Sequence, residues 1–453
     1  MSSPRPGPPT TVPANGSAAT STLRSLADQL DERLAAADAD LEARYPGDSG
    51  ERQPVHTVYV PADRYHADLA ADWGREALET LDAHLPDADA LADLLDVDTG
   101  LAGEVLPLLR AKLAREPVED LRVDFEDGYG DRGDDAEDAA VDQAASALVS
   151  SRATGTAPPY AGIRFKSFEA PTRRRGLRTL DRFVAAVSGA SGLPAGFVVT
   201  LPKVTSVDQV EAMVVVCEGL EGAHRLPEGS LRFEIQVETP QSILLADGTA
   251  AVARMIAAAQ GRCTGLHYGT YDYSASLGIA AAYQSMEHAA ADHAKAVMQV
   301  AAAGTGVRLS DGSTNRVPVG AADAVRAAWR EHARLVRRSL ERGFYQGWDL
   351  HPAQLVTRHA ATMAFYRAGL DGATRRLRAY VDQDASGGFL DEPATARALA
   401  WFVSRGLQCG ALTEAEVLDR TGLDQPAVQS LAHPRRDART AASPTITERT
   451  ASQ

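Results

Sequence analysis

The sequence predicts a (β/α)8 barrel with a leading helix and a helical C-terminal extension. Three observations lead there: eight short apolar or β-branched runs, helical stretches between most of them, and charged or hydrogen-bonding residues where nearly every run ends. The runs are HTVYVPADR (56–64), LRVDFEDG (121–128), YAGIRFK (160–166), GFVVTLPK (196–203), LRFEIQVET (231–239), GLHYGTYD (265–272), GVRLSDG (306–312) and YQGWDLHP (345–352). Ala-, Leu-, Arg- and Glu-rich segments such as 205–221, 249–260, 281–303 and 321–342 separate them. Strand and helix in alternation call for a parallel sheet with helical crossovers, and eight such units favour closure into a barrel. An open doubly wound sheet is the alternative, but no glycine-rich dinucleotide fingerprint follows the first run.

The outer segments are read in the same way. Residues 1–20 are rich in Pro, Ser, Thr and Gly and are expected to be a disordered tail, as are residues 435–453. Leu and Ala at helical spacing from residue 21 to 46 predict an amphipathic helix leading into a catalytic barrel over 21–360. Residues 361–434 are expected to form a helical extension, equally readable as a cap on the barrel or as a lid or oligomer contact.

Composition narrows the partners. With 46 Lys and Arg against 61 Asp and Glu, the formal charge of −15 argues against nucleic acid or an anionic membrane as the main partner. No run of about 18 uncharged apolar residues is present, and the first residues lack the apolar stretch of a signal peptide. The three cysteines, Cys217, Cys263 and Cys409, form no CxxC pair and fit a reducing cytoplasm.

The ends of the strands carry the chemistry. In a barrel these ends share one mouth, so Asp63, Arg64, Glu126, Asp127, Arg164, Lys203, Glu238, Asp272, Asp311 and His351 are expected to converge there. Alternation in LRFEIQVET puts Glu234, Gln236 and Glu238 on one face, where buried carboxylates need a cation or hydrogen bonds. Either the interior holds internal ion pairs, or Glu238 at the strand end ligates a metal. Asp272 is the expected second ligand, with capping of the next helix as the plainer role. Two oxygen ligands from neighbouring strand ends leave an octahedral ion open to substrate and water, which suits Mg2+, with Mn2+ as the alternative. Gly269 allows close backbone approach and, with Thr270, is assigned to substrate binding.

Arg164 is an arginine inside an apolar run and wants a bidentate carboxylate, either from Glu126 or Asp127 or from substrate. Lys203 poses the same choice. Residues 131–138 are expected to be a solvated loop and helix start. His288 and His293, five apart, do not share a helix face, and His351 either caps the last helix or takes part in catalysis. Cys263 has no basic neighbour in sequence to make it a nucleophile.

The ordered set TVYVPADR, VDFEDGY, GIRF, LPKV, VETPQSI, YGTYDYSASLG and GWDLHPAQL, spanning about residues 55–360, resembles the citrate lyase beta-subunit-like group of metal-dependent aldolases and lyases. That group belongs to the pyruvate/phosphoenolpyruvate-kinase-like barrel superfamily. The resemblance implies that Arg164 holds a substrate carboxylate, that Glu238 and Asp272 bind Mg2+, and that Glu126, Asp127 and Lys203 support them in the catalytic set. It implies a carbon–carbon lyase acting on a small 2-oxo acid or hydroxy acid, in a homo-oligomer. A malate-synthase-like Claisen condensation, with an acyl-CoA as partner, and a catalytically silent binding barrel are the alternatives. Three departures mark a divergent branch: a long gap between the first two strands, about 90 residues after the eighth, and excess length near LLADGTAA between Glu238 and Asp272.

Overall fold

The computed structural model describes residues 16–189, 192–382 and 392–433. The chain divides after Pro46 into two compact units. The first contains the helix α1 (Gly16–Arg44), along which Leu23, Leu26, Leu30 and Leu34 recur at three- and four-residue spacing. It starts before the expected residue 21, because Ala18 and Ala19 extend it well. Residues 16–20 are therefore helical and not part of a tail; residues 1–15 and the predicted tail 435–453 lie outside the described residues.

The second unit holds all eight expected strands: β1 (His56–Pro61), β2 (Asp120–Asp124), β3 (Tyr160–Arg164), β4 (Phe197–Leu201), β5 (Phe233–Val237), β6 (Cys263–Tyr268), β7 (Arg308–Ser310) and β8 (Gly347–Asp349). They pair in parallel in the order β7-β6-β5-β4-β3-β2-β1-β8. A parallel bridge between Ser310 and Gln346 closes the circle, helped by the Asp311 N–H on the Gln346 carbonyl at 2.8 Å. The result is a (β/α)8 barrel.

Helices cover its outside. Three of them, α2 (Leu69–His84), α3 (Ala88–Leu95) and α4 (Thr99–Arg115), fill the long gap between β1 and β2. Then come α5 (Asp134–Thr154), α6 (Arg173–Val187), α7 (Val207–His224), α8 (Ala251–Ala258), α9 (Thr270–Ser276), α10 (Ala289–Ala302) and α11 (Ala322–Glu341). After β8, α12 (Pro352–Val381) packs on α2, α4 and α11, and α13 (Pro393–Gln408) packs on α12. Two short helices follow, α14 (Glu414–Thr421) and α15 (Gln425–Ala432). Among the described residues no helix is long and apolar enough to cross a membrane.

The strands are shorter than the apolar runs. Each stops before or at its polar end, so Glu126, Asp127, Lys203 and Glu238 sit in the loops above the sheet and Asp272 lies in the first turn of α9. At 131–138 the loop and helix start are solvated through residue 136 as expected, and the last two residues depart from it. Glu137 and Asp138 are buried there, Glu137 accepting from Lys166 at 2.7 Å and Thr179 at 2.5 Å, because the arginine-rich α6 packs against α5. The extra length near LLADGTAA forms a small turn closed by an antiparallel bridge from Leu244 to Ala250.

The inward face of the sheet is polar and layered. Arg122 on β2 grips Glu234 on β5 through two bonds of 3.0 and 2.8 Å, and Thr200 donates to the same carboxylate at 2.5 Å. Glu234 is thus an internal ion pair, its charge met on the spot. On the outward face of β8, Asp349 joins His332 of α11 at 3.1 Å and Arg358 of α12 at 3.0 Å, tying the last strand to its helices.

Candidate active site

Asp124, the final residue of β2, anchors the mouth. Its two oxygens accept the Nε and Nη2 of Arg164, both at 2.7 Å, and the backbone N–H groups of Glu126 and Gly128, both at 2.9 Å. With every bond made, the carboxylate fixes both the guanidinium plane and the loop that carries Glu126 and Asp127. A side chain on Gly128 would put its Cβ 2.5 Å from Asp124 Oδ2, so the turn needs glycine.

Arg164 is held but not used up. Its Nη1 has only long contacts, 3.4 Å to Gln236 Oε1 and 3.4 Å to Glu126 Oε2. The guanidinium also lies over the Tyr59 ring, 4.8 Å from its centre. Burial opposes the charge, yet Asp124 keeps the group fully protonated.

Lys203 links three of the site's carboxylates. Its ammonium donates to Glu126 and, at 2.6 Å, to Asp127, while its backbone N–H donates to Glu238 Oε1 at 2.7 Å. Lys203 adopts a left-handed backbone with φ of +51°, a conformation that costs a non-glycine residue about 1–2 kcal/mol. Such a cost is tolerated where the surroundings fix the residue, as they do here. Burial works against the lysine charge, but Glu126 and Asp127 outweigh it and raise its pKa. Burial, with help from Asp127, raises the Glu126 carboxyl; Lys203 overcomes burial at Asp127 and lowers it.

Glu238 and Asp272 are different. Among the described residues neither carboxylate has a Lys, Arg or His side-chain nitrogen within ion-pairing distance; the cations nearby are committed to Asp124, Glu126 and Asp127. Glu238 is 1% exposed. Burial pushes its carboxyl up to about 8, with Glu126 and Asp272 adding to the rise against Arg164. Burial also raises Asp272, which is half-buried in the first turn of α9. The residue at the start of that helix is Gly269, so Asp272 is not its cap. Gly269 lies against Glu238: a Cβ there would sit 2.5 Å from the Glu238 Cβ and 2.8 Å from Oε2. Thr270 is buried with its hydroxyl accepting from the Ser313 N–H at 3.3 Å, which ties the β6 loop to the β7 loop.

Two buried or half-buried carboxylates lacking a cation are a donor set of hard oxygens, and that chemistry fits a divalent ion such as Mg2+. No group of three or more His, Cys, Asp or Glu side chains converges as a closed metal site would among the described residues. Two protein ligands leave room for substrate and water.

The other strand-end residues go elsewhere. Asp63 pairs with Arg132 at 2.8 Å, and Asp311 is buried against Lys295 and Ser339. His351 caps α12 by accepting from the Ala353 N–H, and His288 caps α10 in the same way. The thiol of Cys263 is buried and pushed up to about 12, unsuited to attack. Asp124 was not singled out in the sequence, nor was Tyr59. The alternation Asp120, Arg122, Asp124 repeats the pattern of Glu234, Gln236, Glu238 and was the available signal.

Fold and mouth together define a (β/α)8-barrel protein with an acidic, arginine-bearing cluster of side chains at the C-terminal ends of its strands. A family model described as Domain of unknown function (DUF6986) matches residues 34–436, and the chain belongs to that family. No curated protein matches it. Among solved structures it is similar to the protein CitE from Mycobacterium tuberculosis in complex with magnesium, acetoacetate and coenzyme A, at 17% identity over 80% of this chain and 99% of that one, with a TM-score of 0.45. It is similar also to Haloferax volcanii malate synthase, at 14% identity over 79% and 88%, TM-score 0.45. RipC from Yersinia pestis is a third, at 16% identity over 70% and 96%, TM-score 0.41.

Proposed function

We propose that this protein is a divalent-cation-dependent carbon–carbon lyase or aldolase acting on a small 2-oxo acid or hydroxy acid. The observation that carries the reading is the pair Glu238 and Asp272, two carboxylates at the mouth with no ion pair to either, near an arginine whose Nη1 makes only long contacts. Mg2+, or Mn2+ in its place, would be held by these two residues and would supply Lewis-acid stabilisation of negative charge developing on a substrate oxygen, worth several kcal/mol of barrier.

The chain's own groups do the rest. Arg164, locked in plane by Asp124, presents Nη1 to the substrate carboxylate and sets its orientation. In the cleavage direction a base takes the proton from the substrate hydroxyl; the carbon–carbon bond breaks as the new carbonyl forms, and its electron pair becomes the enolate of the departing fragment. Glu126 fits the base better than Asp127. It is buried and its pKa is raised, which brings a carboxylate closer to the working pH, whereas Asp127 is exposed and lowered. Lys203 steadies both. Gly269 forms the wall beside Glu238, and Thr270, the next residue, ties that wall to Ser313. Three free, buried cysteines fit a reducing compartment.

The test is retro-aldol turnover across a panel of small hydroxy acids, with and without EDTA, in the wild type and in E126Q. The reading expects activity that disappears on chelation, returns with Mg2+, and falls at least roughly a hundredfold in E126Q. Undiminished turnover after complete metal removal contradicts it.

A further inference from the structure

Trp348 stands out in the barrel interior. Side chains alternate along a strand, and Asp349 points outward to His332 and Arg358, so Trp348 is the last inward-facing residue of β8. Its ring lies 4.5 Å from Tyr59 and 6.3 Å from His267. The residue is 7% exposed, and its indole Nε1 has no hydrogen-bond partner among the described residues. Trp329 shows the usual arrangement, its Nε1 donating to the Ala353 carbonyl at 2.7 Å. A buried donor left without an acceptor is uncommon, and a functional role is one of its standard explanations.

The position of Trp348 indicates what the missing acceptor is. Arg164 and Trp348 pack on the same Tyr59 ring, at 4.8 and 4.5 Å from its centre, so guanidinium and indole are separated by no more than the sum of these distances. That limit is within the reach of a four-carbon acid that hydrogen-bonds at both ends. The Tyr59 hydroxyl is turned towards Glu234 and His267, at 3.5 and 3.4 Å. The Gln236 side-chain oxygen faces Arg164.

The geometry points to Trp348 as a substrate-positioning residue whose indole N–H donates to an oxygen at the end of the substrate distal from Arg164. This rests on the proposed function and sharpens it: the preferred acid carries a second oxygen function and does not end in a methyl group. A site built to hydrogen-bond an oxygen rejects the analogue lacking it, because its donor is then left unpaired.

Oxaloacetate and 2-oxobutyrate are the probes, matched in length and differing by carboxylate against methyl. The full-length protein with 15N-labelled tryptophan is titrated with each acid in the presence of Mg2+, and binding is measured in parallel by calorimetry. Oxaloacetate should bind about tenfold more tightly and move the Trp348 indole resonance downfield, leaving that of Trp329 in place. W348F should lose about that tenfold for oxaloacetate and bind 2-oxobutyrate as the wild type does. If W348F does not fold, the three other single Trp→Phe variants assign the resonance. Tight oxaloacetate binding with an unmoved Trp348 resonance, or unchanged discrimination in W348F, overturns this inference and leaves the lyase reading standing. Failure of both acids to bind removes the substrate class and this inference with it.

Discussion

A buried carboxylate with no cation beside it is unfavourable, and Glu238 is one. Its carboxyl is raised from the ordinary 4.5 to about 8, so the folded chain keeps a proton that the unfolded chain has released. The sign follows: between about pH 4.5 and 8 the native state binds more protons, and stability falls as pH rises, at roughly 1.4 kcal/mol per pH unit for this group. E238Q removes the cost along with the proposed ligand. In metal-free buffer at pH 9 its thermal midpoint should lie several degrees above that of the wild type, as expected where function and stability conflict. A midpoint equal to or below the wild type's would mean that Glu238 is satisfied by the protein alone. Arg164, Glu126 and Lys203 were legible in the sequence as charges at the ends of apolar runs. The bidentate grip of Asp124 on Arg164 was not, because its partners are 40 residues apart in the chain and meet only across the β2–β3 pair.

Strand ends do the positioning. β5 and β6 lie side by side, and their register carries Gly269 onto Glu238. G269A should push the Glu238 carboxylate aside and weaken Mg2+ binding by at least roughly tenfold, with the fold intact by circular dichroism. Unchanged affinity would show that Glu238 does not need its present place. All eight strands were readable from their apolar runs, since a barrel interior built from short parallel strands demands them. Their ends were not. Polar residues continue smoothly from strand to loop, so Asp272 read as the end of a strand whereas the chain has already turned into α9. The three helices between β1 and β2 were legible only as a long gap.

Over the whole molecule the two faces of the barrel divide the work. The mouth holds carboxylates short of cations. The base holds Glu119, fully buried, which accepts from the Val55 N–H at 2.8 Å and from Lys112 at 2.5 Å, with Arg52 at 2.9 Å. Those cations overcome burial and bring Glu119 down to about 2 from the ordinary 4.5. Here the unfolded chain binds more protons, so stability is complete above about pH 4.5 and is lost as pH falls towards 2, by roughly 3 kcal/mol. Urea unfolding of wild type and E119Q at a series of pH values should show a shallower acid loss in the variant; parallel curves would remove Glu119 from the acid response. Stability at the N-terminal face and chemistry at the C-terminal face is the division a (β/α)8 barrel imposes.

The proposed grip of Glu238 and Asp272 on one divalent ion is tested most directly by Mn2+ binding, followed by electron paramagnetic resonance in the wild type, E238Q and D272N. One tight Mn2+ per chain is predicted for the wild type, displaced by Mg2+ and weakened at least roughly a hundredfold in each variant. Equal Mn2+ binding in all three proteins would contradict the site.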